Sequence, residues 1–179
     1  MKYDKPNFKN PGRLMFISPI VFGFFIALLC PENILDKHWL LQSVTSKLKA
    51  IFPPIEGYAI KSEFPQVSEL YFSLMWALSP YYLFISILSI RRNQGLIDWL
   101  PKTQFEVIKV FFTGVVLMSF LGYFCLFVNP GYDFNFLPIN SSRFALSVTG
   151  YLFSGIAAAI LLAVAYCLFE KIVFIAFRR

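Results

Sequence analysis

Four long stretches of this 179-residue chain contain no charged side chain at all. They run over 14–30 (LMFISPIVFGFFIALLC), 70–90 (LYFSLMWALSPYYLFISILSI), 110–128 and 144–169. A helix that crosses a hydrocarbon core needs about 20 mostly apolar residues, and each stretch is close to that length. An unpaired backbone amide in lipid costs several kcal/mol, so only helices and closed barrels span a membrane. Barrel strands alternate apolar and polar residues, whereas these runs are continuous. The expectation is an all-α integral membrane protein, with four transmembrane helices in one bundle and a single domain over 1–179.

Composition supports the same reading. The chain is 58% hydrophobic with 22 phenylalanines, and its mean hydropathy is +0.64. Only 15% of its residues are charged, against roughly 25% in soluble domains. A soluble fold of this size has too much surface to hide so many apolar side chains. Soluble enzymes, disordered regions, coiled coils and secreted disulfide miniproteins are therefore excluded.

Orientation follows from the basic residues, which favour the cytoplasmic side. Segments 1–13, 91–109 and 170–179 carry Lys2, Lys5, Lys9, Arg13, Arg91, Arg92, Lys102, Lys109, Lys171, Arg178 and Arg179. Segments 31–69 and 129–143 carry Lys37, Lys47, Lys49, Lys61 and Arg143. With the acids counted, the two sides net +7 and −1. Both termini are expected in the cytoplasm. The basic balance also attracts anionic head groups. It does not point to nucleic acid, because no basic stretch is long enough to track a phosphate backbone. The first apolar run is expected to stay uncleaved: Ala27-Leu28-Leu29-Cys30 has Leu29 where a processing site needs a small residue.

The first outer segment, 31–69, is the only sizeable one. Trp39, Leu41, Val44, Leu48, Ile51 and Phe52 recur at helical spacing there, and Pro53-Pro54 ends the pattern. This predicts a short amphipathic helix lying flat in the outer interface, as a lid over the bundle. The second outer segment is turn chemistry, with Tyr132, Phe134 and Phe136 able to dip into the interface.

The inventory for chemistry is thin. The one histidine, His38, cannot assemble a zinc site alone. Cys30, Cys125 and Cys167 form no C-x-x-C pair. Cys30 and Cys125 are near enough to the outer face to pair, though buried thiols commonly serve as small hydrophobes. No carboxylate lies within an apolar run, where ion pumps keep theirs. There is no phosphate loop or nucleophile elbow. The expectation is a non-enzyme with no catalytic, metal or cofactor site.

The apolar runs offer packing chemistry instead. Gly150, Ser154 and Ala158 recur at four-residue steps, with Gly155 and Ala159 on the adjacent ridge. Gly23 and Ala27 do the same in the first run, and Gly114 and Gly122 mark the third. Small residues at such spacing let helix backbones approach closely. These ridges are expected to hold the chain's own helices together, with a homodimer seam as the alternative use. Ser79, Tyr82, Ser86 and Ser89 form a hydroxyl seam along one face of the second run. Pro80 cannot donate to the Trp76 carbonyl, so that oxygen needs a hydroxyl. The seam should face another helix, belonging either to this chain or to a partner.

The length, four spans, internal termini, short basic cytoplasmic segments and longer first outer loop together resemble the immunity proteins of pore-forming colicins of the colicin A kind. The resemblance covers the whole layout and rests on no motif, so it assigns no residue a role. It implies an inner-membrane protein that meets a toxin's hydrophobic helical hairpin within the bilayer and blocks the pore. Conjugative exclusion proteins share much of the layout. The alternatives are a small accessory or structural subunit of a secretion or conjugation assembly and, third, a small channel or carrier. The expected partners are lipid and another membrane-inserted protein.

Overall fold

The computed structural model describes residues 11–92, 104–123 and 137–177. The described residues fold into helices with no strand among them, so the chain is all-α. The first apolar run forms α1 (Pro11–Leu29). The outer segment holds three helices: α2 (Ile34–Lys37), α3 (Trp39–Ile51) and α4 (Pro54–Lys61). The second run is split into α5 (Pro65–Ala77) and α6 (Ser79–Arg92), whose axes diverge by 48°. The third forms α7 (Gln104–Tyr123). The fourth is α8 (Arg143–Thr149), a 3-10 turn over Gly150–Phe153, and α9 (Gly155–Phe177).

Arg143–Glu170 is long and apolar enough to cross a membrane, and the bent pair α5–α6 passes the same criterion if counted as one span. Ile17–Leu29 is a shorter apolar helix. The turns expected near Asn93-Gln94-Gly95 and Pro101, the aromatic loop around Tyr132, and Arg178-Arg179 lie outside the described residues, as does Cys125. Cys30 and Cys167 are free thiols.

Local chemistry accounts for the boundaries. Prolines open α4 and α5, where a missing N–H costs nothing because first-turn donors have no partner anyway. The Ser142 hydroxyl accepts from the Ala145 N–H and caps α8. Packing then arranges the helices in a row. α7 lies on α9, α9 lies on α6, and α6 lies on α1, while the outer portions α5 and α8 both close onto α1.

The core sits in the outer half. Tyr58, Val67, Tyr71, Phe72, Met75 and Ile55 are all buried there. Tyr58 stacks on Phe72 at 4.2 Å between centroids, and Phe52 on Trp76 at 4.5 Å. Such pairs add about 0.5–1.5 kcal/mol beyond the area they bury. Around the core, backbone and side-chain links tie the outer helices down. The Glu63 N–H and the Ser62 hydroxyl both donate to the Asn140 carbonyl. Arg143 donates to the Cys30 carbonyl at the C-terminal end of α1 and to Glu32, and its guanidinium lies over the Phe64 ring.

Candidate functional site

The most unusual local feature is that the second and fourth apolar runs both break, and that the breaks touch. In the second, Pro80 has no N–H for the Trp76 carbonyl. The Ser79 hydroxyl donates to that oxygen at 2.7 Å. In the fourth, the backbone leaves the helix at Ser154, whose φ of −123° and ψ of 179° are extended. The Ser154 hydroxyl donates to the Tyr151 carbonyl at 2.7 Å and accepts from the Ile156 N–H, so one side chain serves both ends of the interruption.

Gly155 allows the contact between the two breaks. A Cβ placed there would sit 2.6 Å and 2.7 Å from carbons of the Trp76 ring and 3.1 Å from the Trp76 Cα. One turn outward, Tyr71 is wedged between two more glycines. A Cβ on Gly150 would lie 2.9 Å from the Tyr71 ring, and one on Gly23 would lie 3.1 Å from it and 2.6 Å from the Ser147 carbonyl. The Tyr71 hydroxyl is fully buried and makes no hydrogen bond of standard geometry, the Tyr151 backbone N–H being the donor beside it, and the Ser73 hydroxyl is buried without a partner among the described residues.

The hydroxyl seam continues inward from the break. Tyr82 and Ser86 are completely buried and Ser89 nearly so. Tyr82 shares a 2.8 Å hydrogen bond with Ser18 of α1. The seam is therefore closed inside the chain, by α1 on one side, and presents no free surface to a partner. Ala27 and Ala159 are likewise buried, Ala158 half-buried. At the far end of the seam Arg91 of α6 forms a two-pronged ion pair with Glu170 of α9, both nitrogen–oxygen distances being 2.9 Å.

The third run differs from the expectation. Among the described residues nothing comes within 4 Å of a Cβ built on Gly114 or Gly122. These two glycines do not hold α7 to its neighbours, because the helix meets α9 with other residues: Ile108, Phe111 and Val115 are half-covered while Gly114 faces outward.

Sequence reasoning missed the paired breaks and the Tyr71 knot. The signals were present in Ser79-Pro80 and in Ser154-Gly155, but a proline in an apolar helix is compatible with a mere kink. Among the described residues no three His, Cys, Asp or Glu side chains gather as a metal site would require. No protein-family model, curated protein or solved structure matches the chain.

Proposed function

We propose that the chain is a multi-pass protein of a bacterial inner membrane, its four apolar runs crossing the bilayer with both termini cytoplasmic. It acts by recognising other membrane-inserted helices, as a pore-forming toxin's immunity protein does, and not by making or breaking bonds. The supporting observation is the sorting of its side chains. Phe25, Phe112, Phe120, Leu162 and Phe169 are each more than half exposed, whereas Ser86, Ser147, Ser154 and Tyr82 are fully buried. In water so wide an apolar surface is an aggregation liability; in lipid it is simply solvated.

An exposed apolar surface open to a partner is one flank of α7, which rests on α9 and carries Phe105, Phe112, Val116 and Phe120. The test is protection. Bacteria expressing the chain are challenged with pore-forming colicins of the A kind, and potassium retention is recorded. Protection that is lost in Phe112→Ala, with the melting temperature unchanged, supports the reading. Sensitivity equal to that of bare cells removes the immunity role, and co-purification of secretion or conjugation components would then favour the subunit alternative.

A second reading has its own support. Interrupted helices lying side by side in the bilayer are how many carriers expose backbone groups to a solute. Here Trp76 fills the contact against Gly155, which favours rigid packing over a pathway. Solute flux into proteoliposomes above that of empty vesicles would reverse the ranking.

A further inference from the structure

We propose that α3 and α4 form a wedge inserted tip-first into the outer leaflet, with Ile51 and the Pro53-Pro54 turn among the acyl chains. The inference rests on the membrane-spanning reading above and replaces a helix lying flat on the surface. The occupant of the uncovered face is lipid.

The argument is one of depth, and α9 supplies the ruler. Glu170 and Arg91 pair at one end, and charges that deep in lipid are costly, so the pair marks the inner edge of the hydrocarbon. Gly155 lies fifteen residues from Glu170, and Trp76 lies fifteen from Arg91. The two residues touch, so both helices give one height, about 22 Å at 1.5 Å per residue. A hydrocarbon core is about 30 Å thick. Trp76 is therefore about 8 Å inside the outer edge, the 48° bend only lowering it slightly. The outer edge falls near Tyr71 and Gly150, and the next charges, Glu69 and its partner Lys49 at 3.2 Å, stand just beyond it.

Phe52 stacks on Trp76, and Tyr58 stacks on Phe72 one turn above. α3 thus descends along α5 to the height of Trp76, the chain reverses at Pro53-Pro54, and α4 climbs back. Leu41, Thr45, Leu48 and Phe52 make up the face of α3 turned to the protein. An adjoining strip of Leu40, Val44 and Ile51 is uncovered, with Ile51 at 65% exposure. The apolar sector of α3 is wider than the protein beneath it, and at this height acyl chains meet the remainder. Lys49 reaches up to Glu69 and exposed Lys47 has a stem long enough to reach the head groups, whereas exposed Glu56 is too short to do so and limits how deep the tip goes.

The experiment uses full-length protein with Cys30, Cys125 and Cys167 replaced by alanine. One cysteine is introduced, either Ile51→Cys or Leu162→Cys; both sites are exposed, so labelling disturbs no packing. Each carries an environment-sensitive fluorophore and is reconstituted in phosphatidylcholine–phosphatidylglycerol vesicles. Quenching is compared for nitroxides at the head group, near the top of the acyl chain and near its methyl end, and for aqueous iodide. The wedge predicts Ile51 quenching by the acyl-top nitroxide about twofold above that by the head-group nitroxide, with Leu162 responding most to the methyl-end probe. Ile51 responding most to the head-group probe, to iodide, to the methyl-end probe or to none of them overturns the wedge, while a deep Leu162 leaves the spanning reading intact. Iodide quenching at both sites overturns both.

Discussion

The outer and inner halves of this molecule are built by different rules. In the outer half, α2 to α5 and α8 surround a core of stacked aromatics, and the buried faces of α5 run almost all the way round the helix: Val67, Ser68, Leu70, Tyr71, Phe72, Ser73 and Met75. In the inner half, α6, α7 and α9 touch along narrow seams and turn Phe84, Phe112, Phe120 and Leu162 outward. The outer half resembles the interior of a soluble domain, held by volume and shape. The inner half is held by backbone proximity and a few hydroxyls, the pattern expected of helices that pack in lipid. The same residue type therefore carries different weight in each half.

Aromatic truncation should expose that difference most strongly. Tyr58→Ala, in the outer stack, is expected to cost about 3–5 kcal/mol. Phe112→Ala, 61% exposed on α7, should stay within about 0.5 kcal/mol. Unfolding in detergent monitored by circular dichroism reads both, and equal losses would erase the distinction between the halves. Glycine comes next. Gly23→Ala drives a methyl to 2.6 Å from the Ser147 carbonyl, a backbone atom that cannot swing aside, and should cost about 1–3 kcal/mol. Gly114→Ala meets open space and should gain about 0.5–1 kcal/mol, the ordinary helical preference for alanine.

Two arginines make a third contrast. Arg143 reaches the Cys30 carbonyl at 3.0 Å and covers the Phe64 ring, with its side chain 25% exposed. Its replacement by alanine removes that donor from the Cys30 carbonyl and uncovers the Phe64 ring, and should cost about 1–2 kcal/mol. Arg91 and Glu170 have the better ionic geometry but are about half exposed. Pairs of that kind contribute little, and Arg91→Ala should leave the melting curve unmoved. A drop of several degrees would show an ionic clamp where apolar contact is argued to suffice.

The all-helical class was legible because charge-free runs of this length leave the backbone no other way to satisfy itself in lipid. The amphipathic period of α3 was legible as well, down to its stop at Pro53. What the period could not tell was that the apolar set would divide, with Leu48 and Phe52 going to α5 and Val44 and Ile51 left uncovered. Small-residue spacing was informative at Gly23, Gly150 and Gly155 and silent at Gly114 and Gly122. Spacing shows where two backbones are able to approach, while the neighbour that does so is set by tertiary order. The breaks were hidden for a related reason: Pro80 and Ser154 fix where a helix stops bonding itself, and the 48° turn at Leu78 belongs to the packing around it.

The two buried tyrosines are the most discriminating pair, because their effects differ in sign. Tyr71 and Tyr82 are both tyrosines of the second apolar run, both fully buried, and a mutation to phenylalanine removes one oxygen from each. At Tyr82 the oxygen is bonded to Ser18, and interhelical hydrogen bonds in membrane proteins average about 0.6 kcal/mol, so Tyr82→Phe should lose about that much. Combining it with Ser18→Ala should cost no more than the larger of the two single changes, since either alone breaks the bond. At Tyr71 the oxygen is wedged against Gly23 and Gly150, with only the Tyr151 backbone N–H beside it and no hydrogen bond of standard geometry. Burying an unsatisfied hydroxyl costs about 1–3 kcal/mol, so Tyr71→Phe should raise the melting temperature. A loss at Tyr71 would mean that the Tyr151 backbone N–H does bond its hydroxyl in the folded protein. The knot would then be a polar contact, and the shape-driven account of the outer half would have to yield at its centre.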